Sequence, residues 1–296
     1  MADVVPNRPV VVGVDGSESA THAVRWAVSE AVRREAPLVV VYSYVFVPIT
    51  VPLPIAAPHS YRAAAAEQGR QWLAEAAAIA AEAAPGLDVT TELTEGGPAE
   101  QLVGRSASAQ LVVLGSRGLG GFSGLLVGSI AVNVAMHSQC PVVVVRGTQP
   151  PQNGPVVLGV DGSSSSQDAI PFAFDAAAAR GVPLVAVHAW SDIAYAGPWD
   201  TGLAAVDWQA LQSGEQQLLG GQLAAHQANY PQVEVRQVVT PDRPARTLLQ
   251  QAEDAQLVVV GSRGRGGFRG LLLGSTSQAL IHHAACPVAV VPRHHG

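Results

Sequence analysis

Gly115-Ser116-Arg117-Gly118-Leu119-Gly120-Gly121-Phe122-Ser123-Gly124-Leu125-Leu126-Val127-Gly128-Ser129 is the stretch whose reading decides the fold. Before it, Leu111 to Leu114 is a short apolar run of strand type; after it, Ile130 to His137 is apolar at helical spacing. A strand therefore hands the chain to a loop with six glycines, and the loop opens a helix. That order makes an anion cradle. Glycines let backbone come close to a ligand, and the first N–H groups of the helix point outward without intrahelical partners.

The stretch returns as Gly261-Ser262-Arg263-Gly264 through Gly274-Ser275, and both copies read Gly-x2-Gly-x9-Gly-Ser. Val12-Gly13-Val14-Asp15-Gly16-Ser17 likewise recurs as Leu158-Gly159-Val160-Asp161-Gly162-Ser163. One offset of 146 positions carries Gly115 to Gly261, Gly128 to Gly274, His137 to His283 and Cys140-Pro141 to Cys286-Pro287. A period this long means tandem domains, not a solenoid. We expect domains over 1–147 and 155–296, joined by a polar, proline-rich linker at 148–154.

Within the first copy, strands alternate with helices. The expected strands are Pro9 to Val14, Leu38 to Val45, Leu87 to Leu93, Leu111 to Leu114 and Val142 to Val145. Ser17 offers a cap to a helix whose apolar face is Ala20, Ala23, Val24, Ala27, Val28, Ala31 and Val32. A second helix, Tyr61 to Ala84, turns Trp72, Leu73, Ala76, Ile79, Ala80 and Ala83 inward. Pro98 opens a short third helix. The second copy repeats the order, except that Pro171 should kink its first helix or push the start later. Continuous apolar strands alternating with helices imply an α/β fold: two tandem doubly wound domains, each a mainly parallel open sheet covered on both faces. Ligands then bind beyond the carboxyl ends of the strands, where Asp15 and the glycine loop both emerge.

The 296 residues are 48% hydrophobic and 14% charged, a composition with a large core. A net charge of −6 argues against nucleic acid as a partner. All 17 basic residues are arginine, so a Walker-type loop, which needs lysine, is excluded. The most apolar region, Leu38 to Pro58, is broken by Pro48, Pro52 and Pro54, which argues against a membrane span. No signal-peptide core is seen, and Cys140 and Cys286 read as buried reduced thiols; a cytoplasmic location is expected.

Val-Asp-Gly-Ser after strand one, with Gly-x2-Gly-x9-Gly-Ser after strand four, resembles the universal stress protein family, in its tandem-domain, ATP-binding, actinobacterial-like form. The resemblance implies strand order 3-2-1-4-5, domains paired as an intramolecular pseudo-dimer through their fifth strands, and a possible homodimer. It implies one ATP per domain, with Mg2+ or Mn2+ on the phosphates, and a stress-response regulatory role toward a protein partner not identified by sequence. Carried over by position, Asp15 and Asp161 would contact the ribose or the metal-phosphate region, and backbone near Val41 and Val187 would hold adenine. Gly115, Gly118, Gly128, Ser129 and Ile130 would take phosphates in the first domain; Gly261, Gly264, Gly274, Ser275 and Thr276 would in the second. Gly13 and Gly159 would let the nucleotide lie close over strand one.

Other residues keep two readings. Arg117 and Arg263 are phosphate clamps or solvated loop charges. His137 and His283 read as helix C-terminal caps, and His188 could stack near adenine, although Tyr42 replaces it in the other copy. Trp190, Trp199 and Trp208 flank the loop over the second site and read as packing or as ligand stacking. Arg265 and Arg269 stand where copy one has Leu119 and Ser123, which predicts tighter phosphate binding in the second domain. No catalytic triad, repeated carboxylate pair or metal-ligand spacing is found. The leading expectation is an ATP-binding switch read out through the long loops Val47 to Ser60 and Ser191 to Asp207. The alternatives are a slow ATPase whose turnover is the output, and a ligand-free scaffolding module.

Overall fold

The computed structural model describes residues 8–45, 58–119, 127–146, 153–190, 208–265 and 273–293, with backbone alone for 58–61 and 208. The chain divides into two compact units, Met1–Arg146 and Gly147–Gly296. Unit one runs β1 (Val10–Gly13), α1 (Glu18–Arg33), β2 (Leu38–Tyr44), α2 (Pro58–Ala83), β3 (Val89–Glu95), α3 (Pro98–Ser106), β4 (Leu111–Gly115), α4 (Ser129–His137) and β5 (Val142–Val145). Unit two repeats the order as β6 (Val156–Gly159), α5 (Ser164–Arg180), β7 (Leu184–Ala189), α6 (Trp208–Asn229), β8 (Val235–Thr240), α7 (Pro244–Gln251), β9 (Leu257–Gly261), α8 (Ser275–His283) and β10 (Val288–Val291).

Strand order in unit one is β3-β2-β1-β4-β5, and in unit two β8-β7-β6-β9-β10. Within each unit the pairings are parallel. Each unit is thus the doubly wound α/β sheet expected from the alternating pattern. The chain reverses direction across the sheet between β1 and β4, and between β6 and β9, where the ligand crevice of such folds lies. The central strands are buried on both faces: Val10, Val12, Leu111, Val112, Val113 and Val142 to Val144 are fully inaccessible. Each such side chain contributes about 1.5–3 kcal/mol of transfer free energy.

Several boundaries depart from the sequence reading. The third strand starts at Val89, not Leu87, because Gly86, at φ +96°, turns the chain and Leu87 N bonds Ala84 O at 3.1 Å. On α1, Val32 is 52% exposed, at the edge of the apolar stripe, while Glu30 is buried. Glu30 is held there by Arg34 at 2.7 Å and Arg33 at 3.6 Å. On α2, Leu73, Ala76 and Ala80 are buried, Trp72 and Ile79 are half-buried, and Ala83, in the last turn, is exposed.

Pro171 lies inside α5 without delaying its start. The first turn is fixed upstream of the proline: Ser163 Oγ accepts from Ser166 N, and Ser166 Oγ donates to Ser163 O at 2.9 Å. Pro171 is past that turn and removes one N–H from an already nucleated helix. Among the described residues, no helix is long and apolar enough to cross a membrane. Cys140 and Cys286 are free and buried.

Candidate functional site

The same backbone construction stands at the carboxyl ends of β1 and β4 and of β6 and β9. After β1 the chain turns through Asp15-Gly16-Ser17, with Gly16 at φ +82°; after β6, Gly162 takes φ +76°. Only glycine holds that conformation without strain. The turn is closed by the aspartate: Ser17 N donates to Asp15 Oδ1 at 3.1 Å, and Ser163 N to Asp161 Oδ1 at 2.9 Å. Ser17 Oγ then accepts from Ala20 N and caps α1, and Ser163 does the same for α5.

The second carboxylate oxygen crosses to the glycine loop. Leu119 N donates to Asp15 Oδ2 at 3.0 Å, and Arg265 N to Asp161 Oδ2 at 2.8 Å. Two further bonds per copy stitch the loop to the helix start. Ser17 Oγ donates to Arg117 O and Ser163 Oγ to Arg263 O, at 3.2 and 3.3 Å. Arg117 N donates to Ser19 Oγ and Arg263 N to Ser165 Oγ, each at 3.3 Å. The aspartate is therefore a clamp on the glycine loop as well as a turn residue. Burial opposes the charge on Asp161, but hydrogen bonds from Ser163, the Arg265 backbone and Ser166 outweigh it and hold the carboxyl below its ordinary value.

These contacts separate the glycines by purpose. A Cβ at Gly118 would lie 2.5 Å from Asp15 Oδ2, and one at Gly264 would lie 2.6 Å from Asp161 Oδ2. Gly115 and Gly261 instead accommodate the start of the first helix, since a Cβ there would meet Ser19 at 2.7 Å or Ser165 at 2.5 Å. Gly13 and Gly159 face the third helix of each unit: their Cβ positions fall 3.0 Å from Leu102 and Leu248. Packing thus accounts for these four glycines. Gly128 differs, because a Cβ there meets nothing nearer than Ser116 O at 3.9 Å.

Gly128 and Gly274 are the N-caps of α4 and α8, and neither helix has a side-chain cap. Ser129, Ile130 and Ser275 are exposed, and Thr276 is half-buried, so the helix starts open outward. Val41 and Val187 are buried; their carbonyls accept from Val14 N and Val160 N at 2.9 Å, which ties the end of the second strand to the aspartate turn. Arg117 and Arg263 are exposed. Gly120, Gly121, Gly124, Arg269, Trp199 and most of the two long loops lie outside the described residues, as does the Trp208 side chain. Trp190 is half-buried directly after β7. His137 Nδ1 bonds Asn133 O at 2.9 Å, a contact at the helix C-terminus that fits capping.

Sequence reasoning missed two features. Arg146 follows β5, whose Val145 accepts from Ser116 N, so its guanidinium belongs to the same end of the sheet. Burial and then the charge of Arg117 lower its pKa, which marks a positive pole at the first cradle. Its place directly after the last strand was the available signal. The walls over the two aspartate turns also differ. A Cβ at Gly16 would strike the Trp72 ring, whereas one at Gly162 would strike the Arg265 guanidinium. Trp72 packs edge-on against Tyr42, with centroids 5.2 Å apart. Among the described residues, no three His, Cys, Asp or Glu side chains are grouped to hold a metal ion.

A family model described as the universal stress protein family matches residues 6–146 and 153–292. Universal stress protein Rv2005c of Mycobacterium tuberculosis is 42% identical over 288 residues, covering 95% of this chain and 96% of that protein. Universal stress protein Rv2623 of the same organism is 40% identical over 291 residues, covering 95% of each. A crystal structure of a universal stress protein from Archaeoglobus fulgidus superposes with a TM-score of 0.70 at 19% identity, covering 97% of this chain and 99% of that one. The last likeness concerns the fold.

Proposed function

The chain belongs to the universal stress protein family, and we propose that it acts there as a nucleotide-dependent regulatory switch in the cytoplasm, with one ATP in each domain. The observation that supports this reading is the duplicated, uncapped helix start at Gly128 and Gly274, beside a glycine loop whose first residues an aspartate holds. Unpaired N–H groups at a helix N-terminus favour anions, and residues already held in place cost little ordering entropy on binding. In this reading, phosphates lie against the starts of α4 and α8, with Arg117, Arg146 and Ser129 nearby in the first domain. Arg263, Arg265 and Ser275 supply the second. Ribose lies over the aspartate turns, and adenine by the ends of β2 and β7.

A switch requires that ATP bind two conformations unequally, and the proposed readout is through contacts with a regulatory partner. The test is to denature freshly purified protein, identify any released nucleotide by chromatography and count it per chain. Two ATP per chain is the expected result. ADP in its place would turn attention to hydrolysis. No nucleotide, with no binding of added ATP and magnesium, would overturn the reading.

A further inference from the structure

His188, buried on β7, has both ring nitrogens facing oxygen atoms. Nδ1 lies 2.7 Å from Val160 O, and Nε2 lies 2.9 Å from Glu215 Oε2 on α6. A carbonyl oxygen only accepts, so Nδ1 carries a hydrogen. The short approach of Nε2 to a carboxylate then needs one more proton between them. The pair holds together through that shared proton; without it, a nitrogen lone pair would face a carboxylate. Val160 O belongs to the peptide unit whose N–H is that of Asp161, and that N–H donates to Ser166 Oγ at 3.4 Å. His188 and Ser166 therefore grip the two sides of the peptide that aims the Asp161 carboxylate at the loop.

The first copy fills the same space differently. Tyr42 stands at the place of His188, and Gly69 at the place of Glu215. A Cβ at Gly69 would lie 2.4 Å from the Tyr42 ring, so the tyrosine leaves no room for any side chain there. Tyrosine with glycine and histidine with glutamate are two solutions to one volume, and only the second places an imidazole against a carboxylate.

We infer that His188 and Glu215 form a proton-held clasp that positions Asp161, so that nucleotide affinity in the second domain alone falls as pH rises. This rests on the nucleotide-binding reading above. The groups facing the clasp are Val160 O from β6 and Glu215 from α6, while β8 places uncharged Val239 in register with His188. Also at that end of the sheet, Asp161 accepts from the Arg265 backbone N–H. The ring's hydrogen bonds among the described residues go to Val160 O and Glu215 Oε2.

Two measurements on the full-length chain test the clasp. Nitrogen-15 spectra of labelled histidine, assigned with His188→Gln, follow the His188 ring from about pH 5.5 to about pH 9 without ligand. Calorimetry with ATP and magnesium follows the two binding events over the same range. The expected result is that one class of site weakens by roughly tenfold, the scale of one charge-assisted hydrogen bond, with its midpoint at the pH where His188 Nε2 loses its proton. Glu215→Gln, and separately His188→Tyr with Glu215→Gly, should remove that dependence. A pH effect shared by both classes, one that survives in these variants, or none while His188 titrates, would overturn the clasp. Failure to bind ATP at any pH would overturn the functional reading and the affinity claim with it. That outcome is distinguishable, because the His188 signal is read without nucleotide.

Discussion

Replacing Gly118 by alanine probes the junction on which the first cradle depends. Gly118 is not among the positive-φ glycines, so its backbone suits alanine and the cost comes from contact alone. The new Cβ would lie 2.5 Å from Asp15 Oδ2. Relief of that contact moves the carboxylate away from Leu119 N, which it meets at 3.0 Å. A hydrogen bond to a charged group contributes about 1.5–3 kcal/mol, and partial exposure of this one argues for the lower part, about 1–2 kcal/mol. For a domain of this size, that lowers the melting temperature by about 2–8 °C. The assay is a double-mutant cycle with Asp15→Ala, read by thermal unfolding. In the Asp15→Ala background there is no carboxylate to strike, so Gly118→Ala should cost almost nothing. Gly104→Ala, in α3 with nothing within 4 Å of its Cβ, should stabilise by about 0.5–1 kcal/mol and sets the sign for an unhindered glycine. If Gly118→Ala costs the same with and without Asp15, the clamp is not what requires the glycine.

Other consequences are checked separately. Asp161 is held below the ordinary carboxylate range in the fold, so its stabilisation is present above the unfolded pKa and is lost as pH falls through the folded one. Melting temperature followed from about pH 6 to about pH 3 should therefore drop, and Asp161→Asn should flatten the drop. Burial pushes the thiols of Cys140 and Cys286 up to about 11 and about 12. Iodoacetamide at neutral pH should leave both unmodified in the native protein and label both after denaturation; rapid native labelling would contradict their burial. Arg265→Leu should weaken ATP at the second site by about 10- to 100-fold, the equivalent of one charge-assisted bond, with little effect on the first. Equal affinities of the two sites in the unmodified chain would refute the premise.

The sequence made the architecture legible because the relevant signals are local. Four or five apolar residues bounded by turn formers make a buried strand wherever they fall, and the 146-residue offset ties the halves together. The site was legible only as a neighbourhood. Gly115 and Gly118 look alike in sequence, yet one makes room for Ser19 and the other for Asp15. That distinction depends on where α1 crosses β4, which no local pattern encodes. Asp15 shows the same limit. Asp-Gly-Ser announces a turn, but the bond to Leu119 N spans 104 positions and appears only once β1 and β4 are neighbours. His188 was visible as a difference from Tyr42; its partner was not, because Glu215 carries meaning only once the fold brings it 2.9 Å from His188 Nε2.

The duplicated chain also separates what the cradle needs from what surrounds it. Three long-range stitches agree closely between the units: aspartate to the loop N–H at 3.0 and 2.8 Å, serine to the arginine carbonyl at 3.2 and 3.3 Å, and the arginine N–H to serine at 3.3 Å in both. The walls share almost nothing: Trp72, Tyr42 and Leu119 on one side; Arg265, His188 and Glu215 on the other. Backbone geometry this alike at the described starts of the loops, beside side chains this different, puts any expected difference between the two proposed sites in their side chains, Arg265 among them. An aromatic wall answers little to the charge of a ligand, whereas a wall that carries arginine and glutamate answers to it. Two copies of one backbone construction thus present different chemistry at the two sites proposed for nucleotide.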